Sequence, residues 1–234
     1  MKKTIGIIGG MGPLATADLF RKIILHTEAR SDQAHLRVLI DNNTNIPDRT
    51  AALLHGGADP APEMIRSARW LEQGGADLLI MPCNTAHNFR AQVQAAVSVP
   101  VLDMIQLTCD ALKAQGVVCA GLLATTGTIQ TGIYQRVCGA SGIRLLTPDG
   151  EGQTAVMEMI YSGVKAGLET YDTSAVQQAV AQMQTDGAQK IVLGCTELPL
   201  AAEQYGLRFP SIDPTLELAL AAIRAAGATV RPQN

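Results

Sequence analysis

Aromatic side chains are scarce. Three Phe, four Tyr and one Trp make up 3% of 234 residues, too few for the stacking platforms that hold single-stranded nucleic acid. There is no block of basic residues, and the net charge is −3. Nucleic acid and anionic membrane surfaces are therefore excluded as partners. No apolar run approaches the roughly 18 residues of a membrane span. Lys2-Lys3 before Thr4-Ile5-Gly6-Ile7-Ile8 imitates a signal peptide, but the apolar part is short and runs into a Gly-rich turn, which reads as a first core strand. The five cysteines are odd in number and none is in C-x-x-C spacing. That pattern argues against a metal site or a disulfide framework and predicts free thiols in a reducing cytoplasm.

What the chain does have is a 47% hydrophobic content arranged as alternating strands and helices. Thr4–Ile8 reads as a strand, Gly9-Gly10-Met11-Gly12-Pro13 as a tight turn, and Leu14 to about Ala29 as a helix with Pro13 at its first position. Leu36–Ile40 is a second strand, followed by the polar loop Asp41-Asn42-Asn43-Thr44-Asn45. Asp48 is placed to cap a short helix toward His55. Pro62 to about Gln73 is amphipathic and is stopped by Gly74-Gly75. A buried strand ending at Cys83, a helix from about Ala86 and a short strand Val99–Asp103 complete the first half. The alternation predicts an α/β fold with largely parallel sheet.

The second half repeats the first. Gly75-Ala76-Asp77-Leu78-Leu79-Ile80-Met81-Pro82-Cys83-Asn84-Thr85 has its counterpart in Gly187-Ala188-Gln189-Lys190-Ile191-Val192-Leu193-Gly194-Cys195-Thr196-Glu197. Likewise Ala120-Gly121-Leu122-Leu123-Ala124 lies over Ile5-Gly6-Ile7-Ile8-Gly9, and Pro210-Ser211-Ile212-Asp213 over Pro100-Val101-Leu102-Asp103. The offsets are 115, 112 and 110 in the order strand one, cysteine strand, last strand. Three matches in order at nearly constant offset indicate duplication. Two pseudo-symmetric, Rossmann-like parallel-sheet domains are expected, the first over 1–104 plus 209–234 and the second over 105–208.

Cys109, Cys119 and Cys138 lack polar companions and read as small buried hydrophobes. Cys83 and Cys195 differ. Each ends a buried strand, where open α/β sheets bind ligands, and each precedes small polar residues. A following helix amino end is expected to lower the thiol pKa. His87 follows Cys83 by four, and nothing matches it after Cys195, so a nucleophile with its own base is not repeated. Two equivalent acid–base groups instead suit inversion at a carbon: one takes a proton as thiolate, the other returns one from the opposite face as thiol. No cofactor is required if fixed dipoles and charges stabilise the carbanion.

Pro82-Cys83-Asn84-Thr85-Ala86-His87, Gly194-Cys195-Thr196-Glu197-Leu198-Pro199 and Gly9-Gly10-Met11-Gly12-Pro13 resemble the aspartate/glutamate racemase family. The loop Asn43-Thr44-Asn45-Ile46-Pro47-Asp48-Arg49-Thr50 resembles its aspartate racemase branch. The resemblance spans nearly the whole chain. It implies a racemase independent of pyridoxal phosphate, usually a homodimer, with its active site in a cleft between two similar domains. It implies that Cys195 deprotonates the L-enantiomer and Cys83 the D-enantiomer. It further implies that Arg49 and Lys165 grip the carboxylates of a small acidic amino acid, for which Arg offers a bidentate fork. Asn84, Thr85, Thr126, Thr128 and Thr196 are candidate hydrogen-bonding groups for the substrate. The glutamate branch carries an Asp or Ser after its first strand and a His after its second cysteine. Met11 and Glu197 stand at those positions here, so a cell-wall glutamate racemase is disfavoured, and Glu197 either assists Cys195 or binds the substrate ammonium.

Three rivals remain open at this point. Gly10-x-Gly12-x-x-Ala15 with Asp41 fits a loose dinucleotide fingerprint, but it leaves the duplicated cysteines unexplained. A related decarboxylase, isomerase or broad-specificity racemase would use the same scaffold on other acids. A non-catalytic bilobed binding protein would bind without turnover.

Overall fold

Strand β1 (Ile5–Gly9) is buried along its whole length, as a strand covered on both faces must be. In the computed structural model, which describes residues 2–232, β1 pairs in parallel with β2 (Val38–Asn42) on one side and β3 (Leu78–Ile80) on the other. Helices α1 (Pro13–His26), α2 (Arg49–Leu54) and α3 (Ala61–Gln73) supply the crossovers. Asp48 caps α2 as expected, its carboxylate accepting from Ala51 N–H at 2.8 Å. The chain divides into two units, Met1–Met104 with Thr215–Asn234, and Ile105–Pro214. The first also holds α4 (Arg90–Ala95).

Helix α5 (Met104–Ala114) leads into the second unit. There β4 (Cys119–Ala124), α6 (Thr126–Gln130), α7 (Ile133–Ala140), β5 (Arg144–Leu146), α8 (Gly150–Glu158), α9 (Ser174–Thr185), β6 (Lys190–Gly194), α10 (Glu197–Gln204) and β7 (Ser211–Ile212) follow in order. The sheet is parallel, in the order β5-β4-β6-β7. Helix α11 (Pro214–Ala225) returns the chain to the first unit, where Lys3 N–H donates to Ala226 C=O and Arg231 N–H to His26 C=O.

The repeat is physical as well as textual. Helix α3 buries Met64, Ala68 and Leu71, and α9 buries Val176, Val180 and Met183, the same helical stripe displaced by a constant 112 positions. Gly75 and Gly187, just beyond these helices, both have positive φ, +92° and +103°, a conformation glycine adopts without steric cost. A Cβ on Gly6 would stand 2.6 Å from Leu79 Cδ2, and one on its counterpart Gly121 2.6 Å from Ile191 Cδ1. Close packing against the neighbouring strand therefore requires glycine at both places.

Three expectations need correction. The helix from Ala86 begins as a 3₁₀ segment, Thr85–Phe89, before α4. Side chains already occupy carbonyls there: His87 Nδ1 bonds Cys83 C=O, and Asn88 Nδ2 donates to Thr85 C=O. Val99–Asp103 makes only an isolated bridge, Leu79 with Val101, because Pro100 has no N–H with which to continue a ladder. Finally, Cys109 on α5 and Cys138 on α7 form a disulfide, leaving Cys83, Cys119 and Cys195 free. Both belong to one buried cluster with Ala120, Leu122 and Tyr134. Cysteine counting cannot register which helix faces meet, so it no longer argues for a reducing compartment. Among the described residues no helix is long and apolar enough to cross a membrane.

Candidate active site

In each unit a free thiol lies past the carboxyl end of a parallel strand that pairs with the unit's first strand, β3 with β1 and β6 with β4. Cys83 follows β3 after Met81-Pro82, and Cys195 directly follows β6; each is 7% exposed. Cys119 is also free, but it starts β4 and so lies at the opposite strand end.

In the first unit Met11 extends the turn after β1, the strand beside β3. Met11, Ile46 and Cys83 belong to one buried cluster. Arg49 is buried at the start of α2. Its Nη2 donates to Met11 C=O at 3.3 Å, and its Nη1 to Pro47 C=O at 2.9 Å and Ile46 C=O at 3.3 Å. Main-chain carbonyls thus fix the guanidinium plane against the β1 turn. Asn84 and Thr85, both buried, follow Cys83 into the 3₁₀ segment. His87, which the sequence left without a role, is buried with them.

In the second unit Cys195 Sγ–H donates to Glu197 Oε2 at 2.9 Å, and Thr196 Oγ1 donates to the same oxygen at 3.3 Å. Lys165 Nζ lies 3.6 Å from Glu197 Oε1 and 4.6 Å above the Tyr161 ring centroid. Lys165 reaches this place because α8 continues as a π-helical turn, Met159–Val164, which it terminates. Such turns locally rotate the side chains that follow.

Burial pushes the Cys195 thiol well above its usual value, and the Glu197 carboxylate pushes it further, while Lys165 opposes. The expectation of a helix-lowered pKa is therefore overturned for Cys195: desolvation and a neighbouring anion outweigh the amino end of α10. The resting group is a thiol with a base beside it.

Thr126 and Thr128 lie in α6 just past β4, which pairs with β6 such that Ala124 opposes Gly194. Thr128 is fully buried, and its N–H donates to the Thr125 hydroxyl capping α6. Gln153 Nε2 from α8 donates to Ala124 C=O at 3.0 Å and Thr126 Oγ1 at 3.3 Å. Gln153 and Tyr161 thus join the candidate residues without having been foreseen. Tyr161 carried a faint signal, four positions before Lys165; Gln153 carried none, since helix rotation alone aims it at the β4 end.

Among the described residues no cluster of three or more His, Cys, Asp or Glu side chains is placed to hold a metal ion. The arrangement within the units is one of single thiols, a carboxylate, two cations and hydroxyls at strand ends, a set suited to moving protons on an anionic substrate.

Comparison with known proteins gives a consistent result. The profile described as Asp/Glu/Hydantoin racemase matches residues 8–222. A broad specificity amino-acid racemase of Bacillus subtilis is 29% identical over 221 residues, covering 92% of this chain and 94% of the relative. The structure of Picrophilus torridus aspartate racemase superposes with a TM-score of 0.83 at 32% identity, over 98% of this chain and 96% of that one. A glutamate racemase of Francisella tularensis shares the fold, with a TM-score of 0.70 at 18% identity over 100% of this chain and 85% of that one.

Proposed function

We propose, from the premise that this chain belongs to the Asp/Glu/Hydantoin racemase family, that it interconverts L- and D-aspartate with Cys83 and Cys195 as the acid–base pair. The enzyme is an isomerase, an amino-acid racemase. The observation that carries the assignment is the pair of free, equally buried thiols at equivalent strand ends of a duplicated fold. The similarity to an aspartate racemase over nearly the full chain supports the substrate.

In the D-to-L direction the Cys83 thiolate takes the α-proton. The electron pair left on Cα delocalises into the α-carboxylate, and Cys195 delivers its Sγ–H to the opposite face. A thiol whose pKa is raised by burial and by Glu197 suits the donor role. In the L-to-D direction the roles swap: Cys195 takes the α-proton as thiolate, its own proton having passed to Glu197 Oε2, already its acceptor, and Cys83 as thiol delivers its Sγ–H to the opposite face. Arg49 and Lys165 bind the two carboxylates. Lys165 leaves Glu197 to do so, which frees that carboxylate to accept the thiol proton. This reading calls for neither pyridoxal phosphate nor metal, and the family resemblance supports a homodimer.

The test is exchange of the α-proton: L-aspartate in deuterated water gains deuterium as D-aspartate appears by chiral chromatography. Cys83→Ser and Cys195→Ser each abolish racemisation, and added pyridoxal phosphate or a chelator changes nothing. Lack of exchange with every acidic amino acid rejects the proposal. The Bacillus subtilis relative's broad specificity favours a second reading, a wider substrate range, and a panel of L-amino acids scored for D-product separates the two.

A further inference from the structure

His87 has no counterpart after Cys195, and the two cysteine carbonyls show why. Cys195 C=O accepts from Leu198 N–H at 2.9 Å, an ordinary main-chain bond at the start of α10. Cys83 C=O instead accepts from the His87 side chain at Nδ1, 2.9 Å away. The other ring nitrogen, Nε2, accepts from Met104 N–H at 3.1 Å. Because a carbonyl only accepts and a main-chain N–H only donates, the Cys83 and Met104 bonds are satisfied together by a neutral imidazole protonated at Nδ1, with Leu102 C=O a further acceptor beside the ring. Met104 opens α5 and is the last residue of the first unit before the chain crosses to the second. One buried ring therefore ties the Cys83 main chain to the start of α5.

We infer that His87 is the positioning residue of Cys83: its imidazole bridges Cys83 C=O to Met104 N–H and thereby fixes where that thiol points. The ring touches the main chain rather than Sγ and takes no proton in the reaction. In the second unit α10 does this work with its own backbone. In the first, the 3₁₀ geometry after Cys83 leaves the carbonyl without such a bond, and a side chain of the right reach supplies the donor. The inference rests on Cys83 being a reacting thiol, yet its principal readouts do not depend on racemisation.

Three variants separate the two ends of the bridge. His87→Asn places a side-chain N–H near Nδ1, His87→Gln reaches toward Met104 with an acceptor, and His87→Ala removes both. Iodoacetamide labelling of the native proteins, resolved by peptide mass spectrometry, reads Cys83 with Cys195 as internal control. The Cys83 rate is expected to change at least fivefold in His87→Ala and His87→Gln, return to within twofold of the parent in His87→Asn, and leave Cys195 within twofold throughout. For aspartate, kcat falls at least tenfold in His87→Ala while KM stays within threefold. In the unaltered protein, ¹⁵N spectra of labelled histidine show a protonated Nδ1 and a bare Nε2 for His87, a readout that survives any variant's failure to fold. An Nε2–H tautomer, or unchanged Cys83 labelling in His87→Ala, overturns the inference. If no amino acid is racemised but the tautomer and labelling pattern hold, the enzymatic reading fails and the positioning role stands.

Discussion

Replacing Glu197 by Gln preserves shape and removes one negative charge at the centre of the second unit's site. The carboxylate accepts from Cys195 Sγ at 2.9 Å and from Thr196 Oγ1 at 3.3 Å, and lies 3.6 Å from Lys165 Nζ. A hydrogen bond to a charged partner is worth about 1.5–3 kcal/mol, and about 1.4 kcal/mol corresponds to a tenfold change in rate. Gln keeps an oxygen that accepts from the thiol but has neither the charge nor the basicity to take its proton, so the direction in which Cys195 acts as thiolate should slow by about 10- to 100-fold. The same substitution lowers the Cys195 pKa, since the anion that raised it is gone; burial, the larger cause, stays. Alkylation follows the thiolate fraction, so at pH 8 Cys195 in Glu197→Gln should react faster with iodoacetamide even as L-to-D turnover falls. Opposite changes in labelling and turnover are the signature of a proton acceptor rather than a packing residue. The reasoning is refuted if turnover from both enantiomers stays within twofold and Cys195 labels at the parental rate.

Other consequences can be checked with ordinary equipment. Denatured but unreduced protein should titrate three thiols with Ellman's reagent, and five after reduction, given the Cys109–Cys138 bond. Across its separation of 29 residues, losing that bond in the Cys109→Ala, Cys138→Ala double variant should cost about 3–4 kcal/mol in urea titration. Gly10→Ala puts a Cβ 2.3 Å from the Asn43 main chain at φ +88°, and should destabilise by about 2–3 kcal/mol and lower the thermal midpoint by several degrees. Burial holds the His87 pKa below 6.5, countered in part by the Cys83 carbonyl, the Asp103 carboxylate and the Leu102 carbonyl and reinforced by Arg90. Between the folded value and 6.5 the unfolded chain binds more protons, so stability falls as pH drops through that window. The urea midpoint of the parent should decline more between pH 7.5 and 5 than that of His87→Asn.

Much of this was legible along the chain because the signals are local. Apolar runs bounded by turn glycines placed β1, β3, β4 and β6, and the constant offset between Met64-Ala68-Leu71 and Val176-Val180-Met183 is visible as spacing. Asp48 announced its helix because a cap acts within three residues. Where the reading failed, a competing contact won. The chain after Cys83 closes a 3₁₀ segment before α4, with the His87 side chain on the Cys83 carbonyl, and Pro100 stopped a strand from forming.

By itself the sequence determined two buried strands that each deliver a thiol to a carboxyl end, because burial and strand direction follow from residue pattern alone. Only the tertiary structure decided what each sulfur meets. Glu197 and Lys165 gather around Cys195 because a π turn swings Lys165 into place. Cys109 meets Cys138 because two helix faces share one core. His87 serves Cys83 because Met104, seventeen positions on, completes its second bond. Contacts of this kind depend on how whole elements rotate and pack, which no short stretch of chain encodes.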